Sequence, residues 1–209
     1  MQEYFKTFYK KEVYPDMLKY AIDNHVPIIM RDSLELIKLL IEARLNKKSE
    51  FNILEIGTAI GYSSLHFKSV SPLVFVDTIE RNQNMIETAK AFLTEYDSAN
   101  QVRLLEGDAL TLDLKLLKNN YDLLFIDAAK AQNQRFFERF SAFLDDDGII
   151  ITDNLYFHGC MENIDEQSKN VRHLVAKIDA YNNYLRNNEA YLTTFIPIGD
   201  GIAVTRKRK

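Results

Sequence analysis

The sequence predicts an α/β domain whose sheet is mostly parallel and is completed by an antiparallel hairpin. From residue 51 onward, short apolar runs alternate with helical segments, an order typical of a parallel sheet covered by helices on both faces. The last two apolar runs, 191–198 and 202–205, are separated by a short glycine-rich turn, which favours a hairpin. We therefore expect a Rossmann-like fold with a seven-stranded sheet, extra N-terminal helices and a single domain over 1–209.

The individual elements follow from local pattern. In the second helix, Leu34, Ile37, Leu40 and Ile41 recur at helical spacing. Helices are expected at 3–24 and 31–46, and then near 62–70, 82–96, 131–143 and 167–187. The parallel strands are expected at 51–57, 73–79, 101–106, 121–127 and 148–153. Residues 1–46 would thus form N-terminal helices, and 51–209 would form the core that carries the chemistry.

Composition excludes several classes of protein. With 46% hydrophobic and 27% charged residues the 209-residue chain is ordinary for a globular domain, and its net charge of −4 gives no global basic field for nucleic acid. The basic ending 206–209 is either a solvated tail or a phosphate-contacting one. No apolar stretch approaches the length of a membrane span, and the polar start does not resemble a signal peptide. Cys160 is the only cysteine, so no intrachain disulfide can form, which suits the cytoplasm.

A small-residue loop follows the first strand, in the segment Glu55-Ile56-Gly57-Thr58-Ala59-Ile60-Gly61-Tyr62-Ser63. Gly57 and Gly61 allow a sharp turn and a close approach to a ligand. Ala59 occupies the middle position of the Gly-x-Gly-x-x-Gly dinucleotide fingerprint, which argues against an NAD-dependent oxidoreductase. The loop instead resembles the first motif of S-adenosylmethionine (SAM) methyltransferases, although a turn without a nucleotide-binding role is the alternative.

Acidic residues also end the second and third strands. Glu80 lies where such folds place the carboxylate that binds both ribose hydroxyls; Asp77 is its rival, and a simple helix N-terminal charge is the alternative. Asp108, in Gly107-Asp108-Ala109, can accept a hydrogen bond from an exocyclic amine such as that of adenine. Both side chains are therefore predicted to face a cofactor.

The fourth and fifth strands end in an oxygen-rich group. Asp127, Asp153 and Asn154 supply the oxygen ligands that Mg²⁺ or Mn²⁺ prefers, whereas His and Cys are scarce. Turn formation or helix capping is the alternative for Asp153 and Asn154. Lys130 follows Asp127 closely enough to reach the same cleft, where an ammonium beside a divalent cation would be shifted toward its neutral form and could act as a base. A surface lysine is the alternative.

Taken together, these motifs resemble the metal-dependent O-methyltransferase family, which includes catechol and caffeoyl-CoA methyltransferases. The resemblance runs from about residue 26 to the end of the chain. It implies that Asp127, Asp153 and Asn154 bind the metal and that Lys130, with Asp127, is catalytic. It also implies a SAM site in which Tyr62 and Ser63 contact the methionine end. The full set expected to bind the cofactor is Met30, Glu55, Gly57, Tyr62, Ser63, Glu80, Asp108, Ala109 and Asp127.

Within that family the chain resembles the bacterial tRNA 5-hydroxyuridine methyltransferases, through Val26–Met30, Asp153–Gly159 and Phe195–Gly201. This implies methylation of tRNA to give 5-methoxyuridine, and Lys169, Arg172 and the tail offer cations for phosphate. Acidic residues after Gly159 depart from that branch, namely Glu162, Asp165 and Glu166. They favour the alternative, a catechol-type methyltransferase with a small acceptor. A non-catalytic SAM-binding protein would lack one of Asp127, Lys130, Asp153 or Asn154. A homodimer is expected from the apolar positions of the first helices.

Overall fold

The computed structural model describes residues 4, 7–46, 48–157, 159–160, 164 and 167–209. The acidic residues Glu162, Asp165 and Glu166 lie outside the described residues. Within them the sheet has seven strands: β1 (Phe51–Ile56), β2 (Val74–Glu80), β3 (Val102–Glu106), β4 (Tyr121–Ile126), β5 (Leu144–Thr152), β6 (Tyr191–Ile196) and β7 (Ile202–Lys207). Their order across the sheet is β3-β2-β1-β4-β5-β7-β6.

The pairing of the strands confirms the predicted architecture. Strands β1 to β5 pair in parallel, and β7 runs antiparallel to both β5 and β6. Each parallel crossover needs a covering element, and both faces of a sheet covered in this way become buried. This explains why β1, β2 and β4 are buried along almost their whole length, whereas the residues of β6, at the edge, are half-buried or exposed.

Helices cover the sheet on both faces. They are α1 (Pro15–Asp23), α2 (Arg31–Leu45), α3 (Tyr62–Lys68), α4 (Gln83–Tyr96), α5 (Asn133–Phe140) and α6 (Lys169–Asn187). Successive residues of β1 point to opposite layers: Phe51 and Ile53 pack in the core with α1 to α3, and Leu54 and Ile56 pack in the core with α5 and α6. Among the described residues, no helix has both the length and the apolar character needed to cross a membrane.

Two boundaries differ from the sequence prediction. The helix predicted over 3–24 is interrupted: Tyr4 is helical, residues 8–14 form turns, bends and irregular structure, and α1 begins at Pro15. Proline suits a first helical turn and disfavours helical geometry in the residue before it, which explains the boundary at Tyr14. Strand β5 begins at Leu144, four residues earlier than predicted. The prediction missed this start because strands usually lack acidic runs such as 145–147.

The carboxyl ends of the parallel strands meet at one edge of the sheet, the site edge. Their hydrogen-bond ladder continues one residue past the strands: Gly57 N–H donates to Ile79 O (3.0 Å), and Asp127 N–H donates to Ile56 O (3.0 Å). Asp153 N–H likewise donates to Ile126 O (3.2 Å). The residues that follow β1, β4 and β5 are therefore held side by side.

Gly57 makes the closest of these approaches. Its φ is +104°, and a Cβ at this position would lie 2.4 Å from the backbone oxygen of Asp127. Gly61 also has a positive φ (+84°), but a Cβ there would meet nothing closer than 3.9 Å. A side chain would therefore strain the backbone at both positions, but only at Gly57 would its Cβ also clash with a neighbouring strand end.

We expect Gly61→Ala to lower the free energy of unfolding by about 1–2 kcal/mol, because left-handed geometry costs about that much with a Cβ. Gly57→Ala should cost more than about 3 kcal/mol, because the clash with β4 adds to the strain. Urea denaturation of the two variants measures both values. Equal losses would contradict the close packing of Gly57 on Asp127.

Candidate active site

A cleft of about 310 Å³ opens at the site edge. Its floor is the loop after β1, and its walls are the ends of β2 to β5 and the segment before α2. The predicted site residues that line it are Gly57, Tyr62, Ser63, Glu80, Asp108, Ala109, Asp127, Lys130 and Asn154. The sequence-predicted residues from five strand ends are thereby brought into one cavity.

Glu80 is held rigidly at one side of the cleft. Its Oε2 accepts a hydrogen bond from Ala59 N–H (2.9 Å), and its Oε1 accepts from the backbone N–H groups of Arg81 (2.9 Å) and Asn82 (2.8 Å). Backbone donors fix a carboxylate in one orientation without neutralising it. Each oxygen keeps acceptor capacity, which suits a ligand with two adjacent hydroxyl groups. The rival, Asp77, is buried and paired with Arg103 and Tyr121.

Asp108 lies next to Glu80 on the same wall. Its Oδ1 accepts a hydrogen bond from Leu110 N–H (2.8 Å), and its Oδ2 accepts from Arg81 Nη1 (2.9 Å). These two donors, the backbone one first, lower the pKa of the Asp108 carboxyl. Arg81, which the sequence analysis did not single out as a site residue, therefore also borders the cleft. Its position directly after Glu80 was the signal for it.

Glu55 does not line the cleft but lies beneath it, fully buried. Its Oε1 accepts a hydrogen bond from the Ser63 hydroxyl (2.5 Å), and its Oε2 accepts from the hydroxyls of Ser64 and Thr78. Burial raises the pKa of Glu55 to about 7, against the opposing effect of the hydroxyl donors. Glu55 therefore orients Ser63, which does line the cleft, and its predicted contact with a cofactor stays a prediction.

Met30 also lies outside the cleft lining. It precedes α2, and its side chain is largely exposed. The neighbouring residues Pro27, Ile28 and Ile29 form that wall instead. The sequence segment was thus informative, although the residue chosen from it differs from those that line the cavity. Phe136 is a further lining residue that no sequence signal indicated.

The oxygen-rich group lies at the end of the cleft next to β5. Lys130 Nζ donates a hydrogen bond to Asp127 Oδ1 at 2.6 Å, with both side chains largely buried. Asp153 is fully buried; its Oδ1 accepts from Asn154 N–H (2.8 Å), whereas its Oδ2 has no hydrogen-bond partner among the described residues. Asn154 adopts a positive φ of 62° and lines the cleft.

The electrostatics of this group are unfavourable without a cation. Burial, followed by repulsion from Asp127, raises the pKa of Asp153 to about 6. Among the described residues, no cluster of three or more His, Cys, Asp or Glu could hold a metal. The predicted set has two carboxylates, and its third member is the amide of Asn154. Two carboxylates, one of which has a buried oxygen without a partner among the described residues, and an amide oxygen nevertheless fit a hard cation.

A profile of the O-methyltransferase family matches residues 7–208. The chain belongs to this family. The match confirms the prediction of an O-methyltransferase, and it covers both the site edge and the N-terminal segment.

Two solved structures and one curated relative are similar to this chain. A Staphylococcus aureus structure titled as a candidate caffeoyl-CoA O-methyltransferase is 45% identical, with a TM-score of 0.86, 95% of this chain covered and 93% of that one. A Dictyostelium discoideum protein named as a caffeoyl-CoA O-methyltransferase 1 is 25% identical over 90% of this chain and 81% of its own. Streptomyces achromogenes TomG, solved in complex with SAM, has a TM-score of 0.78 at 23% identity, covering 99% of this chain and 95% of that one, and so shows the fold.

Because Glu55 is buried, we expect the free energy of unfolding to depend on pH. Its pKa is higher in the folded than in the unfolded chain, so between pH 4.5 and about 7 the folded state binds more protons, and stability falls as pH rises. Relative to the wild type, Glu55→Gln should therefore gain up to about 3 kcal/mol between pH 4.5 and pH 8, measured by urea denaturation. His66, whose lowered pKa has the opposite effect on the pH dependence of stability, is present in both the wild type and Glu55→Gln, so its contribution cancels in the difference. Parallel curves would contradict a buried, weakly compensated carboxyl.

Proposed function

We propose that this chain is a SAM- and divalent-metal-dependent O-methyltransferase that methylates 5-hydroxyuridine in tRNA to 5-methoxyuridine. One observation carries the chemical part of the proposal. Asp127, Lys130 and Asn154 border the same cleft as Glu80 and Asp108, with Asp153 buried directly behind them. A cofactor held by the acidic wall would have its reactive end at the oxygen-rich group.

The cofactor half of the cleft has the chemistry that an adenosyl group requires. Glu80 offers two oriented oxygens for ribose hydroxyls, and Asp108 offers an acceptor beside them. Ser63 and Tyr62, at the start of α3, would hold the amino-acid end. Bound SAM would supply the methyl group, and S-adenosylhomocysteine (SAH) would be the leaving product.

The metal half would be formed by Asp127, Asp153 and Asn154, with Mg²⁺ or Mn²⁺ as the ion. A bound divalent ion would supply charge stabilisation and orientation for an acceptor with two adjacent oxygens. Both 5-hydroxyuracil, with O4 and O5, and a catechol have such a pair. The carboxylates would be relieved of their mutual repulsion by the same ion.

Lys130 would act as the general base that accepts the proton of the acceptor hydroxyl. Its Nζ lies 2.6 Å from Asp127 Oδ1 and so reaches the metal half of the cleft. In its neutral form, the amine would accept the proton of the acceptor hydroxyl, and the freed oxygen electron pair would form the new O–CH₃ bond as the S–CH₃ bond breaks. Lys130 Nζ would then carry the proton away to solvent. The protein would contribute mainly by positioning the acceptor oxygen and the methyl group of SAM relative to each other.

The position of α6 supports an RNA acceptor. Tyr181 contacts Thr152 at the end of β5, with 2.9 Å between their hydroxyl oxygens. Arg172 lies nine residues before Tyr181, about 14 Å along the helix axis, so the first turns of α6 extend beyond the site edge. Lys169 and Arg172 are exposed there and form no ion pair with the other described residues. From there they would contact phosphates beside a base bound in the cleft.

The basic tail is placed less favourably. Arg206 pairs with Ile149 in the middle of β5, and β7 runs antiparallel to β5 from there toward its start, so the tail lies toward the edge opposite the cleft. Lys207 and Lys209 also form ion pairs with Asp146 (3.7 Å) and Asp147 (3.0 Å). We therefore place the phosphate contacts of the proposal on α6 rather than on residues 206–209.

The alternative is a small catechol-type or caffeoyl-CoA-type acceptor. The names of the S. aureus and D. discoideum relatives favour it, as does the net charge of −4. The same catalytic group would serve either acceptor. Dimer formation and a cytoplasmic location remain predictions from the sequence.

Lys130→Ala should lower turnover by about 10²–10⁴-fold, the range typical of a lost general base, while SAH affinity is kept. The measurement is kcat with a saturating acceptor, together with calorimetric titration of SAH. Lys115→Ala, an exposed lysine away from the cleft, is the control. A change confined to KM would make Lys130 a binding residue and contradict its role as a base.

Acceptor preference is tested with tRNA that contains 5-hydroxyuridine and with a simple catechol. If tRNA is the acceptor, Lys169→Gln/Arg172→Gln should raise its KM at least about tenfold and weaken the salt dependence of binding, because each phosphate contact releases counterions. Lys209→Gln, whose lysine is already paired with Asp147, is the matched control. Efficient methylation of catechol, none of tRNA and no effect of the α6 variant would overturn the tRNA proposal in favour of the small acceptor.

A further inference from the structure

We propose that Glu12 is a positioning residue that clamps two walls of the cofactor cleft together and fastens the N-terminal segment 7–14 over them. The inference rests on the proposed function only in that the cleft binds SAM or SAH. It concerns a residue outside the motifs of the sequence analysis.

The Glu12 carboxylate collects donors from separate parts of the chain. Its Oε2 accepts hydrogen bonds from the Tyr62 hydroxyl (2.8 Å) and from Arg31 Nη1 (2.6 Å). Its Oε1 accepts from Tyr14 N–H (2.9 Å) and lies 2.9 Å from His66 Nε2. One side chain therefore connects the N-terminal segment to the starts of α2 and α3.

Two of these partners connect to different parts of the cleft lining. Tyr62 is the first residue of α3 and lines the cavity itself. Arg31 is the first residue of α2 and lies two residues after Ile29, the last of the three residues (Pro27, Ile28 and Ile29) that form the wall before α2. A bond from each to the same carboxylate oxygen fixes the spacing between the two walls.

The clamp lies in a poorly hydrated environment, which strengthens it. His66 is fully buried, and burial lowers its pKa to about 4, so the ring is neutral at physiological pH. The rings of Tyr14 and Tyr62 contact His66 edge-on, with centroid distances of 4.9 and 4.5 Å. Hydrogen bonds from Tyr14 and Tyr62 lower the pKa of Glu12 against the opposing effect of burial, so that Glu12 remains an anion. Its charge-assisted bonds are of the strong kind.

Tyr14, at the end of the segment, is buried and donates its hydroxyl to Leu65 O (3.2 Å); the residues before it have few other described attachments. Residues 10–14 form no regular secondary structure. Besides Glu12, the described contacts of this segment with α2 are a hydrogen bond from the Tyr9 hydroxyl to Asp32 (2.8 Å), a bond from Arg31 Nη2 to the Lys10 oxygen (3.1 Å) and the Arg31 guanidinium over the Tyr9 ring. Loss of the Glu12 charge should therefore loosen the segment and the Tyr62 side of the cleft together.

Such a link works in both directions, since coupling between two sites is reciprocal. If the clamp helps SAH to bind, bound SAH must hold the clamp closed. Lys10 and Lys11 are exposed trypsin sites within the segment, directly before Glu12. Their cleavage reports whether the segment is attached.

The test uses SAH alone, without acceptor or metal. Glu12→Gln, which keeps the shape and removes the charge, should weaken calorimetric SAH binding at least about tenfold. SAH should slow trypsin cleavage after Lys10 and Lys11 in the wild type and much less in the variant. Glu42→Gln, an exposed glutamate on α2, is the matched control and should behave as the wild type. Thermal unfolding in the presence and absence of SAH separates lost affinity from lost folding.

A double-mutant cycle with Tyr62→Phe distinguishes a clamp from a general loss of stability. Both substitutions break the hydrogen bond between Glu12 and Tyr62. The double variant should therefore have about the same SAH affinity as whichever single variant binds SAH more weakly. Should Glu12→Gln fail to fold, Arg31→Gln breaks the clamp from the other wall and should show the same loss of SAH affinity and of protection. Wild-type SAH affinity in a folded variant, or additive losses in the cycle, would overturn the inference. A wild type that binds no SAH would instead overturn the proposed cofactor site.

Discussion

The active-site cleft depends on how closely the ends of β1 and β4 approach each other. Gly57 lies against the backbone oxygen of Asp127, at a distance that leaves no space for a Cβ. The same contact turns the chain after β1 toward the cofactor cleft and places Asp127 beside it. The residues proposed to bind the cofactor and those proposed to be catalytic are thus adjacent because two neighbouring parallel strands end at the same level of the sheet.

The acidic residues around this edge are stabilised in different ways, and the differences indicate their roles. Glu80 and Asp108 receive backbone and arginine donors, which hold their carboxylates in fixed orientations on the cleft wall. Glu55 is satisfied by hydroxyl groups beneath the loop and orients Ser63. Asp153 retains a buried oxygen without a partner among the described residues. An unsatisfied buried carboxylate is costly unless a cation joins it, which is the physical basis for proposing a metal there.

Much of the fold and of the site could be predicted because both are encoded by local pattern. Alternating strands and helices fix the parallel sheet, and strand-end residues such as Glu80 and Asp127 then converge without any long-range information. The start of β5 was missed because Asp145 to Asp147 are residues that strands usually lack, and the interruption of the first predicted helix at residues 8–14 was missed as well. Glu12 could not be identified from sequence. Its partner Tyr62 is fifty residues away, and no local spacing links them.

The central claim is that Asp127, Asp153 and Asn154 form a divalent-metal site within the cofactor cleft. Electron paramagnetic resonance titration with Mn²⁺, in the presence of SAH, tests it independently of any acceptor. The account predicts that the wild type binds Mn²⁺ and that Asp153→Asn weakens this binding at least about tenfold. Asp146→Asn, at a fully exposed aspartate near the opposite edge, should leave it unchanged. Equal Mn²⁺ affinity in the wild type and Asp153→Asn, or no binding by the wild type, would contradict the account.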